Sequence, residues 1–258
     1  MIESCKKLDA QVLIIAGDFC ESLDRFEEGL ALASDLKIPK LFVPGNHDLW
    51  VRQDPDCHSE DKLNTLLPEI CERQGWHYLP GQPFEFRGVQ FVGSCCWYDY
   101  SLMPGNHPFS VSDFLEKQRA GRRWMDDIYT SFPSFQGPKP DHDLCQKFYY
   151  ELEVDLQKLD QEKSTVLVTH FPFYREFLNF TGENWDFEYF GAYMGSELYR
   201  DLLQKYPINH HICGHLHRLR EIEVENCTVH LNPAGYYREW ETQVPEDWLE
   251  KALKFIEV

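Results

Sequence analysis

The sequence predicts one domain of mixed α/β class, in which two sheets lie between layers of helices. Short aliphatic runs alternate with helical patterns, and this alternation is typical of sheets whose strands are largely parallel. Two other segments alternate polar and apolar residues around short turns, as antiparallel hairpins do. The length of 258 residues suits a single large domain spanning 1–258.

The predicted strands are short runs rich in β-branched and aliphatic residues. Their sequences are VLIIA, LFV, TVLVT and INHHIC, at residues 12–16, 41–43, 165–169 and 208–213. The two hairpins are FEFRGVQFVGSC at 84–95 and REIEVENCTVHLN at 220–232, which turn at Arg-Gly and Glu-Asn.

Helices are predicted where apolar residues recur at helical intervals between these strands. In the first helix, roughly 22–36, these residues are Leu23, Phe26, Leu30 and Leu32. The other predicted helices cover 60–74, about 144–160, 196–206 and an amphipathic segment at 246–258.

Two long segments show little periodicity and are expected to be loop insertions, around 97–143 and 171–195. The first is rich in Pro, Gly, Ser, Asp and aromatic residues, and the second carries ten aromatic residues. They are either surface excursions packed on the core or lids over a cleft, since long loops in compact domains are often functional.

The overall charge restricts the partners. A net charge of −18 argues against nonspecific binding to a nucleic-acid duplex or to an anionic membrane surface. The longest apolar runs have the length of a strand, so no membrane span is predicted. The nine irregularly spaced cysteines indicate reduced thiols, and the first residues lack the apolar core of a signal peptide, so a cytoplasmic location is predicted.

Polar side chains follow each of the four strands, at the edge of the sheet where ligands bind in open α/β folds. The residues that arrive there are Asp18, Asn46, His47, Asp48, His170, His215 and His217. Glycines beside Asp18, Asn46 and His215 allow sharp turns and close approach to a small ion. Each fragment alone is weak evidence, but the four together predict a metal centre.

The ligand types also restrict the metal. Imidazole combined with carboxylate and amide oxygen suits Zn, Fe or Mn better than Ca, and the absence of thiolate argues against a structural zinc site. A carboxylate that bridges two ions is the natural centre of a hydrolytic site with two metals.

At this point the sequence resembles the calcineurin-like metallophosphoesterases. The motifs that match are GD at 17–18, GNHD at 45–48, TH at 169–170 and GHLH at 214–217, in the order of the family. The resemblance covers nearly the whole chain and implies a four-layer αββα sandwich.

The resemblance also implies a role for each of these residues. Asp18 would bridge two metals, with Asn46, His170 and His215 on one ion and His217 on the other. His47 would contact the scissile phosphate or protonate the leaving oxygen, oriented by Asp48. A metal-bound hydroxide would attack the phosphorus atom of a phosphomonoester or phosphodiester.

One motif of the family is missing, because no Asp-x-His precedes Asp18. Without it, the ion held by His217 keeps two protein ligands, Asp18 and His217. The letters DHD at 141–143 follow a Pro-rich stretch, not a strand, and are not expected to replace the motif. Either the natural protein begins earlier, which we favour, or this is a one-metal member of the family.

Three functions follow as alternatives. The first is a metal-dependent phosphoester hydrolase that acts on a small organic phosphate, for which the aromatic segment 171–195 could offer a nucleotide a stacking surface. The second is a catalytically impaired one-metal protein that acts as a binding or scaffold protein. The third, a protein phosphatase, has no feature in its favour. The oligomeric state is open.

The tetrapeptide PGNH occurs twice, at 44–47 and at 104–107. The first copy follows a strand and precedes Asp48, so it suits a metal centre. The second lies in a loop and precedes Pro108, so we expect a turn there, with His107 reaching the cleft only as an alternative.

Overall fold

In the computed structural model, residues 9–240 and 252–258 are described. The strands in chain order are β1 (Leu13–Ala16), β2 (Lys40–Val43), β3 (His77–Tyr78), β4 (Phe84–Phe86), β5 (Val89–Ser94), β6 (Gln118–Arg119), β7 (Arg122–Arg123), β8 (Ser164–Thr169), β9 (His210–Cys213), β10 (Arg220–Val224) and β11 (Cys227–Leu231). The four predicted strands and both hairpins are therefore confirmed.

These strands form two main sheets and one small hairpin. The first sheet is parallel, in the order β1-β2-β3. The second has the order β10-β11-β9-β8-β5-β4, with a parallel centre and an antiparallel pair at each end. Strands β6 and β7 pair only with each other. Among the described residues β1 pairs only with β2, so no described strand lies along its other edge.

The helices in chain order are α1 (Leu23–Ala31), α2 (Ser59–Asp61), α3 (Leu67–Arg73), α4 (Val111–Leu115), α5 (Asp126–Tyr129), α6 (Pro140–Gln157), α7 (Trp185–Glu188) and α8 (Leu202–Lys205). A π-helical turn, Lys62–Leu66, joins α2 to α3, so the predicted helix over 60–74 is present with one irregular turn. The predicted helix at 196–206 begins as a 3-10 segment, Glu197–Asp201.

Two of the predicted helices differ from the expectation. Helix α1 ends at Ala31, five residues earlier than predicted, and Leu32 is 71% exposed, so that residue does not belong to the apolar face. Residues 246–251 of the predicted helix over 246–258 lie outside the described residues, and residues 253–258, which are described, form no helix, contrary to the prediction. No helix in the described part of the chain is both long and apolar enough to cross a membrane.

The two sheets face each other across an apolar layer. It contains Leu41 and Val43 from β2 and Phe91, Val166 and Val168 from the second sheet. On the outer side of the first sheet, Phe26 of α1 contacts Phe42 of β2, with ring centroids 4.9 Å apart. Helix α6 packs against β5 on the second sheet. The mixed α/β fold with two sheets between helices is therefore confirmed.

Candidate metal centre

The loops after β1, β2, β8 and β9 meet at the carboxyl ends of these strands. Asp18 lies two residues beyond β1, and Asn46 to Asp48 lie in the loop after β2. His170 is the first residue after β8, and His215 lies two residues beyond β9. The structure thus brings together the side chains that the sequence predicted from strand ends, with the exception of His217.

Three potential ligand atoms converge around His170. Its Nδ1 lies 2.9 Å from the carbonyl oxygen of Ala16, which accepts a hydrogen bond and turns Nε2 toward the centre. That Nε2 is 3.0 Å from Oδ1 of Asn46 and 3.2 Å from Oδ1 of Asp18. A carboxylate, an amide oxygen and an imidazole nitrogen therefore face one small volume.

His215 completes this group. One atom each of Asp18, His170 and His215 lie within 4.8 Å of one another, a spacing that suits ligands of a single ion. The Nε2 of His215 is buried and makes no hydrogen bond within the described structure. Buried polar atoms nearly always have a partner, so an unpaired imidazole nitrogen beside two further ligand atoms fits a metal ion.

The pKa shifts show how strongly these groups interact. Burial would raise the pKa of Asp18, but the neighbouring His170 outweighs it and holds that pKa well below its usual range. Burial would lower the pKa of His170, but the charge of Asp18 raises it above its ordinary value. Burial and the nearby His170 hold the pKa of His215 far below its ordinary value, so that imidazole is neutral and can act as a ligand.

His47 lies at the solvent side of the group. Its backbone N–H donates to Oδ1 of Asp18 at 2.9 Å, and its ring Nε2 is 3.9 Å from Oδ2 of Asp18. The ring stacks on Trp50, with centroids 3.8 Å apart and an angle of 22° between planes. A quarter of the His47 side chain is exposed, so it can reach a bound substrate.

Asp48 makes backbone hydrogen bonds, and in the described structure none joins it to the His47 ring, so its role in orienting His47 stays a prediction. Both of its oxygens accept hydrogen bonds from backbone N–H groups, from Gly45 at 2.7 Å and from Phe19 and Cys20 at 2.9 and 2.8 Å. Burial, together with the charge of Asp18, raises the pKa of Asp48 to about 7. Asp48 therefore joins the loops after β1 and β2.

His217 lies outside the compact group and has its own partner. Its Nδ1 donates to Oε2 of Glu239 at 2.7 Å, and its ring meets Tyr236 edge-on at 4.6 Å. The Tyr236 hydroxyl is 3.5 Å from Nε2 of His47. A carboxylate behind a histidine is a common arrangement around metal ligands because it fixes the tautomer of the imidazole. The segment that carries Tyr236 and Glu239 was not recognised from the sequence.

Asp126 is a second residue that the sequence did not indicate. It is fully buried in the first insertion and accepts a hydrogen bond from Nδ2 of Asn46 at 2.8 Å. Nε1 of Trp50 donates to the same oxygen at 2.7 Å, and Nε1 of Trp124 to the other at 2.9 Å. Because Asp126 follows no strand and lies in a segment without periodicity, no pattern pointed to it.

The close approach of these loops depends on glycine. Gly17 has φ of +84°, and a Cβ atom there would lie 2.6 Å from the backbone nitrogen of Gly45. No side chain fits between the two loops at this point.

The two insertions contribute mainly buried aromatic packing. Phe171, the residue after His170, lies 4.3 Å from the His215 ring between centroids. Trp124 of the first insertion contacts the same ring edge-on at 5.9 Å and stacks on Tyr193 of the second. Aromatic rings from both insertions therefore line the metal centre, and most of the remaining rings are core.

The second PGNH tetrapeptide and the DHD tripeptide have structural roles. The N–H of His107 donates to the Pro104 carbonyl, which closes a turn, and the His107 ring packs against Phe109 and Phe114. The turn expected there is confirmed. Asp141 lies in helix α6, where it accepts hydrogen bonds from Tyr100 and Lys117, so it does not supply the missing motif.

Comparisons with known proteins agree with this geometry. The sequence model of the calcineurin-like phosphoesterases matches residues 1–219. The [acyl-carrier-protein] phosphodiesterase PptH of Mycobacterium tuberculosis is 28% identical over 249 residues, which cover 93% of this chain and 74% of that protein. The crystal structure of phosphopantetheinyl hydrolase from the same organism superposes with a TM-score of 0.75 at 27% identity, over 92% of this chain and 83% of that one.

Proposed function

Because the chain belongs to the calcineurin-like phosphoesterase family and is a metal-dependent phosphoester hydrolase, we propose that it cleaves a phosphodiester at the centre around Asp18. The curated relative and the solved structure are both PptH of Mycobacterium tuberculosis, which is named as an [acyl-carrier-protein] phosphodiesterase and as a phosphopantetheinyl hydrolase. We take the phosphopantetheinyl ester of a carrier protein as the substrate class.

One observation carries the assignment of the centre. The Nε2 of His170 faces Oδ1 of Asn46 and Oδ1 of Asp18, and the unpaired Nε2 of His215 lies in the same group. In our proposal these four side chains hold one ion, for which Mn, Fe and Zn suit the ligand types. His217, together with Asp18, serves a second ion. When bound, such ions act as Lewis acids and lower the pKa of a coordinated water.

The protein side chains divide the remaining work. His47 projects from the group toward solvent, so it is the residue that contacts the phosphate or gives a proton to the leaving oxygen. Its stacking on Trp50 holds the ring in place. Asp48 keeps the two loops together through Gly45 and the backbone after Asp18. The aromatic rings of Phe171 and Trp124 limit the access of water to the ligands.

The repeated tetrapeptide supplies a matched control for the test of this function. The metal-depleted protein is loaded with Mn²⁺, its bound ions are counted, and hydrolysis of bis(p-nitrophenyl) phosphate is followed. His47→Ala should lower kcat by about 10²–10⁴-fold and leave the bound ion in place. His107→Ala removes the corresponding histidine of the second PGNH and should change neither quantity.

Three results would count against the enzyme. Wild-type protein that retains an ion without turnover would favour the noncatalytic one-metal protein that the sequence left open. No bound ion would refute the centre itself. Equal rates for His47→Ala and wild type would remove His47 from the reaction.

A second assay addresses the substrate class. Carrier protein that bears phosphopantetheine, a cyclic nucleotide and a phosphopeptide are compared at equal concentration by kcat/KM. We expect the carrier protein to be cleaved most efficiently. A preference for the nucleotide would instead support the nucleotide-like substrate considered from the aromatic composition, and release of phosphate from the phosphopeptide would support a protein phosphatase.

A further inference from the structure

The buried carboxylate of Asp126 connects two residues of the proposed centre. We propose that Asp126 is a positioning residue that aims the Asn46 amide at the metal and fixes Trp50 beneath His47. This inference rests on the proposed function, since it assumes that Asn46 is a ligand. It concerns a residue of the first insertion that lies outside every motif of the family resemblance.

The first step concerns the orientation of Asn46. A carboxylate only accepts hydrogen bonds, whereas an amide has one end that donates and one that accepts. Nδ2 of Asn46 donates to Oδ1 of Asp126 at 2.8 Å, so the amide oxygen is turned to the opposite side. There it lies 3.0 Å from Nε2 of His170, in the ligand group. A hydroxyl or an amide can both donate and accept, so such a partner would not determine which end of the Asn46 amide faces the ligand group.

The second step concerns His47. The same Oδ1 of Asp126 accepts from Nε1 of Trp50 at 2.7 Å, and the indole of Trp50 stacks on the imidazole of His47 at 3.8 Å. One oxygen atom therefore sets the position of a metal ligand and of the ring that supports the proposed proton donor. The second oxygen is occupied by Nε1 of Trp124 at 2.9 Å, so the carboxylate cannot rotate freely.

The third step excludes a simple packing role. Asp126 is fully buried, and among the described residues it has no ion pair with a lysine, arginine or histidine. A buried carboxylate without an ion-pair partner is costly, and replacing it by an apolar residue would leave the N–H groups of Asn46 and the two tryptophans without an acceptor. All of its side-chain hydrogen bonds come from Asn46 and two tryptophans. The carboxylate therefore orients Asn46 and the tryptophans, although burying its charge costs stability.

The test uses four variants chosen from the hydrogen bonds. Asp126→Ala removes both carboxylate oxygens and with them all three hydrogen bonds. Asp126→Asn keeps one oxygen as an acceptor, but its NH₂ group then faces one of the N–H donors and cannot bond to it. Combining Asp126→Asn with Trp124→Phe removes the donor that the NH₂ would face, so the oxygen can again serve Asn46 and Trp50. Asp141→Asn is the matched control, because Asp141 is equally buried and accepts from Trp97, Tyr100 and Lys117.

Three quantities are measured for each variant: the Kd for Mn²⁺, kcat at saturating Mn²⁺, and the melting temperature of the metal-free protein. Asp126→Ala should raise Kd by about 10–100-fold, as loss of other groups behind metal ligands does. It should also lower kcat at saturating Mn²⁺, because Trp50 is no longer fixed. The double variant should bind Mn²⁺ more tightly than Asp126→Asn alone, and Asp141→Asn should change only the melting temperature.

The outcomes separate this inference from the proposed function. If wild type neither binds Mn²⁺ nor hydrolyses the diester, the proposed function fails, and the inference with it. If wild type binds Mn²⁺ and Asp126→Ala changes only the melting temperature, the inference alone is overturned. If Asp126→Ala does not fold, the comparison of Asp126→Asn with the double variant decides, and equal Kd values in those two would overturn the inference.

Discussion

The stability of the fold should depend on pH through His211, a buried histidine of β9 outside the metal centre. The Thr169 hydroxyl donates to the Phe171 carbonyl, so its oxygen accepts from Nε2 of His211 at 2.8 Å. The Tyr174 hydroxyl lies 2.7 Å from Nδ1 and donates to it. These partners satisfy a neutral imidazole that carries its proton on Nε2, and they leave no acceptor for a second proton.

The magnitude follows from the pKa of this residue. Complete burial, together with the nearby His230, lowers the pKa of His211 from 6.5 to about 3. The unfolded chain binds a proton below pH 6.5 and the folded chain does not, so stability falls as the pH decreases from 6.5 toward 3. At 1.36 kcal/mol per pKa unit, the loss from this residue is about 2 kcal/mol at pH 5 and about 4 kcal/mol at pH 3, where the folded state begins to bind the proton as well.

The assay compares wild type with His211→Gln, which cannot titrate in this range. Urea unfolding of the metal-free proteins at pH 7 and pH 5 gives two free energies for each. The variant is expected to be less stable at pH 7, but wild type should lose about 2 kcal/mol more between the two pH values. Groups of the metal centre titrate in both proteins and cancel in the difference. Equal losses in the two proteins would refute the assignment of a neutral, buried His211.

Three further predictions test the supports of the centre. Gly17→Ala should destabilise the protein by more than about 2 kcal/mol, because φ is +84° and the added Cβ meets the Gly45 backbone, whereas Gly105→Ala has open space and should not lower the melting temperature. Glu239→Gln should raise the Kd for Mn²⁺ about tenfold, because Nδ1 of His217 loses its carboxylate partner. An unchanged Kd in a Mn²⁺ titration would show that His217 is not a ligand of the ion. Lys62→Met should cost about 3–5 kcal/mol in urea unfolding, since the fully buried ammonium is the ionic partner of Asp54, and a more stable variant would contradict this role.

The sequence predicted the strands, and it predicted which side chains stand at their carboxyl ends, because both depend on local patterns. A buried strand is a short apolar run, and a loop that approaches an ion needs glycine beside the ligand. Asp18, Asn46 and His215 have a glycine beside them and His170 directly follows a strand, and the structure brings the four together. The same reasoning distinguished the two PGNH copies, because only one of them follows a strand.

Other features could not be predicted because they depend on contacts between distant segments. Helix α1 was predicted too long, since buried apolar residues continue to Ala33 and Leu36 although the helix itself ends at Ala31. Asp126 acts on Asn46 across 80 residues, and Glu239 acts on His217 across 22. Neither acid stands beside a glycine or a strand end, so only tertiary structure shows which side chain each one meets.

The ligands are held by buried charged residues that join one loop to another. Asp48 accepts from the backbone on both sides, from Gly45 and from the residues after Asp18. Lys62 donates to the carbonyls of Glu21 and Trp50, which belong to the same two loops. Asp126 ties the second of these loops to the first insertion. Because buried charges are stable only with partners in place, a shift of either loop would leave one of them unpaired. These three residues therefore tie the loops that carry the candidate ligands to one another and to the first insertion.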